Sequence, residues 1–238
     1  TRLYPERLLP MMDMIADDVW TDPAPDPADE VQIRYDGLQT EMPVTVACQG
    51  DWQPGCRAVI HYPDHIQPVW DLPRTALVNG VDSDVTCSQC HSRRDASNAL
   101  QVPPGQLELT ADPAPEQPNQ LTSYHELLFD DNEQQLINGA LIDSLAIVLD
   151  DEGNIVYRTD DNGELILDGS GNPIPLVEPV EISAPVRAGQ ARNSSRFFAL
   201  FEAGGSHEGW LTVEEIRLLS EWIDLGAQQY NDPFRVPE

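Results

Sequence analysis

The stretch 85–94, VTCSQCHSRR, holds two of the chain's four cysteines in a C-x-x-C-H arrangement. Cys87 and Cys90 are three residues apart, so their side chains lie on the same face of a single helical turn. His91 follows directly, at the point where such a turn would end. This spacing is typical of sites that bind a metal or a cofactor, and several kinds of site compete for it.

Attachment of haem c is the first interpretation, because C-x-x-C-H is the signature of c-type haem proteins. Two thiols on one turn reach the two vinyl groups of one porphyrin edge, and the imidazole of His91 can bind the iron as proximal ligand. A redox-active cysteine pair predicts a strand before the motif, whereas residues 79–85 have a polar loop sequence. A zinc site needs a second ligand pair, and Cys48 and Cys56 are poorly spaced for one. A chance occurrence is the remaining alternative, and we expect one covalent haem.

The other two cysteines enclose a turn-rich stretch, ACQGDWQPGCRA (47–58). In an oxidising compartment, Cys48 and Cys56 are expected to form a disulfide around this short loop. The haem interpretation agrees with this, because haem is attached to such proteins outside the cytoplasm. Together the two pairs leave no free cysteine, and they predict an exported protein in the periplasm or outside the cell.

The charge of the chain is strongly one-sided, with a formal net charge of −28 and thirteen basic residues that are all arginine. Such a chain is repelled by nucleic acids and by anionic membrane surfaces. The sequence has no apolar run of about 18 residues, so we expect no membrane span. A basic redox protein is the partner that this charge favours, although a solvated acidic surface is the simpler interpretation.

The clearest predicted helix is LTVEEIRLLSEWIDLGAQQY (211–230). Thr212 is a suitable N-cap, and Glu215 three residues later completes a capping box. Apolar residues then recur at helical spacing until Gly226, which predicts the end of the helix. A second, shorter helix is predicted within NSSRFFALFEAG (193–204).

The middle of the chain predicts mixed structure. Residues 60–74 predict a short extended piece followed by a helix that begins near His65, and residues 121–139 predict one or two short helices. Residues 147–182 predict strands broken by turns. The turns are marked by Asp151–Gly153, Asp161–Gly163 and Asp168–Gly171. Calcium at these aspartates is an alternative to plain turn chemistry, but the spacing lacks the full calcium-loop pattern.

The order HIQPVW, then C-x-x-C-H, then EEIRLLSEWIDLGA resembles the cytochrome c domains of the hydrazine synthase alpha subunit-like and planctomycete-type families. The resemblance covers residues 58–100 and 193–235. It implies a mainly-α fold, a class I cytochrome c-like helical core with a long insertion of loops and β-hairpins. The implied organisation is an N-terminal extension, 1–57, and a monohaem cytochrome c domain, 58–238, with its insertion at about 101–192.

Many relatives have a methionine before the last helix as second axial ligand, and this chain departs from that pattern. Its equivalent stretch, AGGSHEGWLT (203–212), has no methionine and one histidine. The resemblance therefore points to His207 as distal ligand, with His65 as the alternative because relatives often carry a histidine there. His61 and His125 are expected to be structural or surface residues.

The function that follows is electron transfer by a monohaem c-type cytochrome, with no separate catalytic residues. Arg93 and Arg94, just after the motif, are candidates to pair with the haem propionates, with solvated arginines as the equal alternative. The rival function is a haem enzyme, or enzyme subunit, whose open distal site acts on a small nitrogen compound or a peroxide. A third is a subunit of a larger assembly with a structural haem.

Overall fold

The computed structural model describes residues 35, 37–49, 56–78 and 80–232. Its helices are α1 (Val46–Gln49), α2 (Gln67–Asp71), α3 (Cys87–Cys90), α4 (Thr122–Leu128), α5 (Ser195–Phe198) and α6 (Val213–Asp224). A π-helical turn, Tyr62–Ile66, runs directly into α2, and 3-10 turns occupy Pro104–Gln106 and Ala191–Ser194. The strands are β1 (Thr75–Val78), β2 (Val81–Asp84), β3 (Asp131–Asn132), β4 (Gln134–Ile137), β5 (Ala140–Asp143), β6 (Leu145–Ile147), β7 (Val177–Pro179) and β8 (Glu181–Ile182).

The predicted mainly-α, class I cytochrome c-like fold is wrong. The chain is 25% helical and 20% strand, and its strands form several small antiparallel sheets. Among the described helices, α6 has 12 residues, and the next longest, α4, has 7. Closely spaced Gly, Pro and Asp-rich turns keep the other helices short, and they fold the middle of the chain into hairpins.

Helix α6 is the centre of the hydrophobic core. It packs its apolar face against the π-helical turn and α2, and the ring centres of Trp222 and Tyr62 lie 5.1 Å apart. Tyr124 of α4 closes the cluster, and its hydroxyl donates a hydrogen bond to the carbonyl of Ala227. The most deeply buried side chains of this core are Ile60, Tyr62, Ile66, Val69, Trp70, Leu127, Leu218, Leu219, Trp222 and Ile223.

The predicted capping of the last helix is confirmed. The hydroxyl of Thr212 accepts from the backbone N–H of Glu215, and the Glu215 carboxylate accepts from the backbone N–H of Thr212. After the helix, Gly226 has a φ of 98°, a conformation that other residues rarely adopt. Cap and stop together fix where this helix begins and ends.

Two other helix predictions differ from the structure in their bounds. The helical segment expected from near His65 begins earlier, at Tyr62. Pro63 is tolerated there because the backbone N–H groups of a first helical turn make no hydrogen bond within the helix, so the N–H that proline lacks is not needed. The helix expected within 193–204 is limited to α5 and the 3-10 turn before it. In 121–139 only α4 is helical, and the rest enters β structure.

The core draws on both segments that were assigned to an extension and an insertion. Tyr35 and Leu38 of the predicted extension are buried in it, and so are Leu109 and Val186 of the predicted insertion. Within the predicted insertion, residues 131–182 form a β structure of their own, which we call the branched arm.

The branched arm is built from antiparallel ladders that meet three at a time. At the first junction, Glu133 N–H donates to the Val180 carbonyl, Val180 N–H to Ser144 and Ser144 N–H to Glu133, at 2.7, 2.9 and 2.6 Å. Two further junctions repeat this cyclic pattern along the arm. Their members are Val148, Val156 and Leu176 in the second, and Arg158, Ile166 and Ile174 in the third.

The turns of the arm follow the predicted Asp–Gly chemistry. Each of Asp150, Asp160 and Asp168 begins a turn in which one carboxylate oxygen accepts two backbone N–H groups, at 2.8 to 3.1 Å. These hydrogen bonds hold the pKa of each aspartate below its ordinary value. The carboxylates thus stabilise the turns themselves.

Candidate functional site

The motif 87–91 is held in place by the β1–β2 hairpin in front of it. Thr86, just before α3, donates its backbone N–H to the Asp84 carboxylate at 2.9 Å, and its hydroxyl accepts the backbone N–H of Arg74 at 3.1 Å. His91 ends the helix, with its backbone N–H on the carbonyl of Cys87 at 2.8 Å. Hydrogen bonds therefore fix the backbone on both sides of the motif, at Thr86 and at His91.

The motif forms one wall of an apolar cavity. Cys87, Cys90 and His91 line it together with His207, which comes from the turns before α6. The remaining lining residues are aliphatic or aromatic: Trp70, Val85, Leu107, Leu109, Phe197, Leu200, Phe201 and Trp210. The structure thus brings the three motif residues and the predicted distal histidine to one place.

His91 is held through its Nδ1 atom, which lies 3.0 Å from the carbonyl oxygen of Leu107. Because a carbonyl only accepts, Nδ1 carries the hydrogen, and Nε2 keeps the lone pair when the ring is neutral. Burial lowers the pKa of His91, which favours that neutral ring. Metal-binding histidines typically make this second hydrogen bond to a carbonyl.

His207 is held by its neighbours in the turn segment. Its Nδ1 lies 2.8 Å from the hydroxyl of Ser206, and the Trp210 ring packs edge-on against it with ring centres 4.5 Å apart. Its backbone N–H donates to the Leu200 carbonyl at 2.8 Å. Burial and the nearby His91 both lower the pKa of His207, so this ring is also neutral.

The two imidazole rings face one another across the cavity. The ring centres of His91 and His207 are 6.0 Å apart, at an angle of 34°. Two imidazoles that bind opposite faces of one metal ion through bonds of about 2 Å have ring centres about 6 Å apart. The spacing would therefore allow both rings to hold one bound metal ion.

Glycines shape the segment that carries His207. A Cβ added to Gly205 would lie 2.3 Å from the carbonyl oxygen of Leu200, so only glycine fits there. Gly204 and Gly209 have φ values of 84° and 75° with open space around them, so they serve the turns through their backbone conformation. Close approach of the backbone thus occurs at Gly205, not at Gly209.

The thiols of the motif are protonated in this chain. Burial raises the pKa of Cys87 to about 11, and it also raises the pKa of Cys90. Redox-active C-x-x-C pairs instead have a lowered thiol pKa, because the thiolate is the reactive form. Within the described ranges, no group of three or more His, Cys, Asp or Glu side chains is arranged to hold a metal ion. The raised thiol pKa values disfavour the redox-pair interpretation, although strand β2 (Val81–Asp84) precedes the motif where a polar loop was expected.

Arg74 connects the two walls of the cavity. Its guanidinium donates to the carbonyl of Trp210 at 3.0 Å and to the Glu215 carboxylate at 2.7 Å, while its backbone N–H is bound to Thr86. One wall carries Cys87, directly after Thr86, and the other carries His207. A single arginine therefore fixes the distance between the two halves of the site.

The two arginines after the motif have other partners. Arg93 forms ion pairs with Glu108 at 2.9 Å and Glu126 at 3.2 Å. Arg94 is exposed and donates to the carbonyl of Asn98 at 3.0 Å. Neither lines the apolar cavity, so their predicted pairing with propionates stays a prediction.

The structure places His65, the alternative distal ligand, away from the motif. It lines a different cavity of about 430 Å³ together with His61 and Glu41. Its Nδ1 accepts the backbone N–H of His61 at 3.0 Å, which is a structural role. His125 stacks on Phe129 with ring centres 4.7 Å apart. His207 is the histidine that the fold brings to His91.

Cys48 and Cys56 form a disulfide, the pairing that the sequence predicts. A disulfide indicates an oxidising environment such as an exported protein meets. In the part of the chain that the structure describes, no helix is long and apolar enough to span a bilayer.

Comparison with family models, with curated proteins and with solved structures finds no match to this chain. The resemblance to cytochrome c domains therefore stays a prediction that depends on the motif and on the site geometry.

Sequence reasoning missed the residues that position the site. Glu215 was identified as a cap only, and Arg74 and the carbonyl of Leu107 were not identified at all. Arg74 and Glu215 are 141 positions apart, so no local pattern signals their contact. The one signal in the sequence was that Arg74 follows a largely apolar stretch, where a basic side chain needs an acidic partner.

Proposed function

We propose that this chain is an electron-carrying c-type cytochrome with one covalently attached haem. The observation that carries the proposal is that the C-x-x-C-H motif and His207 line one apolar cavity with the two imidazole rings 6.0 Å apart. Chance placement of a second histidine would not explain this spacing.

The residues that line the cavity have the chemistry needed to hold a haem c group. Cys87 and Cys90 would each add sulfur and hydrogen across one vinyl double bond, so attachment consumes no oxidant. His91 would bind the iron through Nε2, which its bond to Leu107 leaves free, and His207 would bind from the other side. When bound, haem c supplies one-electron redox chemistry.

The size of the cavity adds one requirement. The cavity has a volume of only about 50 Å³, so it is narrow. A narrow apolar space suits a flat ring system, but a whole porphyrin is larger than this space. The apolar side chains that line it would therefore repack around the ring, while His91 and His207 keep their spacing.

Electron transfer is favoured over catalysis because a second imidazole would occupy the distal side. Such an iron has no open position for a small substrate, and its potential lies below that of a methionine-ligated haem. The formal charge of −28 would steer a basic redox partner. The disulfide supports an exported protein, and haem attachment would take place outside the cytoplasm, so we infer a periplasmic or extracellular protein.

The test is production of the exported chain together with haem c attachment machinery, followed by intact-mass and absorption measurements. We expect one haem per chain, resistant to acid–acetone extraction. Cys87→Ser/Cys90→Ser should lose it, whereas Cys48→Ser/Cys56→Ser is the matched control and should keep it. Free, alkylatable thiols at both Cys87 and Cys90 in the exported protein would refute the proposal.

Carbon monoxide separates the carrier from the haem enzyme with an open distal site. The reduced haem protein should not bind carbon monoxide rapidly if both axial positions hold imidazole. Rapid binding by the unmodified protein would instead favour the enzyme that acts on a small nitrogen compound or a peroxide.

A further inference from the structure

The branched arm exposes large apolar side chains that the core does not cover. Eleven of the nineteen exposed large hydrophobic residues in the described chain lie in the arm, residues 131–182. Eight of these lie outside the β4–β5 ladder, occupy odd-numbered positions and are 38 to 57% exposed: Leu145, Ile147, Leu149, Ile155, Tyr157, Leu165, Leu167 and Val177. We call these eight residues the apolar face.

Strand register places the eight residues on one side of the arm. Residues that pair directly across a ladder point to the same side, and so do alternate residues along a strand. Ile147 pairs with Val177, and Leu149 pairs with Ile155. Tyr157 follows Ile155 by two positions, and the same alternation continues to the last hairpin. The side chains therefore form one continuous surface.

A surface of this kind is unusual on a soluble protein. Contiguous apolar patches normally mark a site of interaction, whereas singly exposed apolar residues are ordinary. The cyclic junctions at residues such as Val148 and Ile166 fix the ladders relative to one another. A preordered surface loses little conformational entropy when it binds.

The rim of the apolar face is acidic. The arm contains twelve acidic residues and a single basic one, Arg158. Asp150, Asp160 and Asp168 begin the three hairpin turns that border the face, and their backbone hydrogen bonds keep them ionised. Negative charge therefore lies at the end of each of these three hairpins.

We propose that the apolar face of the branched arm is a docking surface for a partner protein with an apolar patch bordered by arginine or lysine. Charge decides between the possible occupants. A second copy of this chain would bring its own twelve acidic side chains against the first, and an anionic membrane would be repelled in the same way. A basic rim is complementary to the turns.

The experiment uses two synthetic probes and the full-length chain. One probe is a disulfide-closed β-hairpin peptide with valine and isoleucine on one face and arginines at both ends. The matched probe has glutamate in place of each arginine. Binding is measured by fluorescence anisotropy at low and at high sodium chloride. We expect the arginine hairpin to bind, and to bind more weakly at high salt, while the glutamate hairpin does not bind.

Variants show where the probe binds. Leu149→Ser/Leu167→Ser removes two exposed side chains from the face and should weaken binding about tenfold or more, because burial of each leucine is lost. Leu77→Ser, on β1 outside the arm and 73% exposed, is the matched control and should bind as the unmodified chain does. Circular dichroism and melting check that both variants fold.

Four results would overturn the proposal. They are no binding of the arginine hairpin, equal binding of the glutamate hairpin, unchanged binding by Leu149→Ser/Leu167→Ser, and dimers at low salt that this variant abolishes. The last result would assign the face to a second copy of the chain.

Discussion

The guanidinium of Arg74 lies 2.7 Å from the carboxylate of Glu215, and the side chains are 10% and 0% exposed. The same carboxylate caps α6 through Thr212, and the same guanidinium binds the carbonyl of Trp210, which packs on His207. One buried ion pair therefore joins the motif wall, the segment that carries His207 and the start of the last helix.

Loss of either member of this pair should destabilise the chain strongly. Arg74→Met leaves Glu215 as an uncompensated buried charge, and such a loss costs about 3–5 kcal/mol of unfolding free energy. Urea unfolding measures the difference. The double variant Arg74→Met/Glu215→Leu should be less destabilised than Arg74→Met alone, because no buried charge remains. A double variant as unstable as the sum of the two single ones would contradict the coupling.

Gly205→Ala should disturb the segment that carries His207. The new Cβ would lie 2.3 and 2.4 Å from two backbone carbonyl oxygens, so the turn must shift, at a cost of about 1–3 kcal/mol. Gly169→Ala is the matched control, because its Cβ meets nothing within 4 Å and its φ is not in the left-handed region. Thermal unfolding compares the two, and equal melting temperatures would show that the close contact is absent in solution.

His207→Ala tests the distal ligand in the haem-loaded protein. If His207 binds the iron, the variant should turn high-spin or water-ligated, and its reduced form should bind carbon monoxide. His65→Ala and His125→Ala should keep the low-spin spectrum, because neither lines the cavity that holds His91 and His207. A low-spin His207→Ala together with a high-spin His65→Ala would reassign the distal ligand.

Local patterns predicted local features well. The C-x-x-C-H turn, the capping box of α6, the stop at Gly226 and the pairing of Cys48 with Cys56 all depend on residues close in sequence. The fold class depends on contacts that are distant in sequence. Glu133 pairs with Val180 at the first junction of the arm, and Arg74 pairs with Glu215 across the core. Neither pairing leaves a periodic signal, so a resemblance of end segments to a helical family predicted the wrong fold.

Glu126→Gln should change the dependence of stability on pH. Burial, together with the nearby Asp131, raises the pKa of Glu126 to about 7. Because the folded pKa lies above the ordinary value of 4.5, the native state binds more protons than the unfolded state between these pH values. The unfolding free energy that protonated Glu126 contributes is therefore lost as pH rises through 7. The glutamine variant has no group that titrates at this position, so it shows no such loss.

Urea unfolding at pH 5 and pH 8 measures this difference. Glu126→Gln should gain stability relative to the unmodified chain at pH 8, with little difference at pH 5. Arg93, which lies 3.2 Å from Glu126, favours the ionised carboxylate and limits the gain. A variant that is equally destabilised at both pH values would show that the ion pair outweighs burial.

Sodium chloride should stabilise the folded chain, because its acidic residues repel one another. The net charge is −28, and twelve acidic residues lie in the branched arm alone. The Debye length falls from about 30 Å at 0.01 M to about 3 Å at 1 M salt, so the repulsion is screened over this range. The melting temperature should therefore rise from low to molar salt.

Asp151→Asn/Glu152→Gln/Asp161→Asn removes three exposed charges but leaves the carboxylates of Asp150 and Asp160 that hold the turns. This variant should melt higher than the unmodified chain at low salt, and it should gain less from added salt. Asp150→Ala is the opposing control, because it removes both a charge and the oxygen that accepts two backbone N–H groups, and it should not raise the melting temperature. A melting temperature that falls steadily as salt increases would show that the acidic residues are stabilised by specific ion pairs and not held in mutual repulsion.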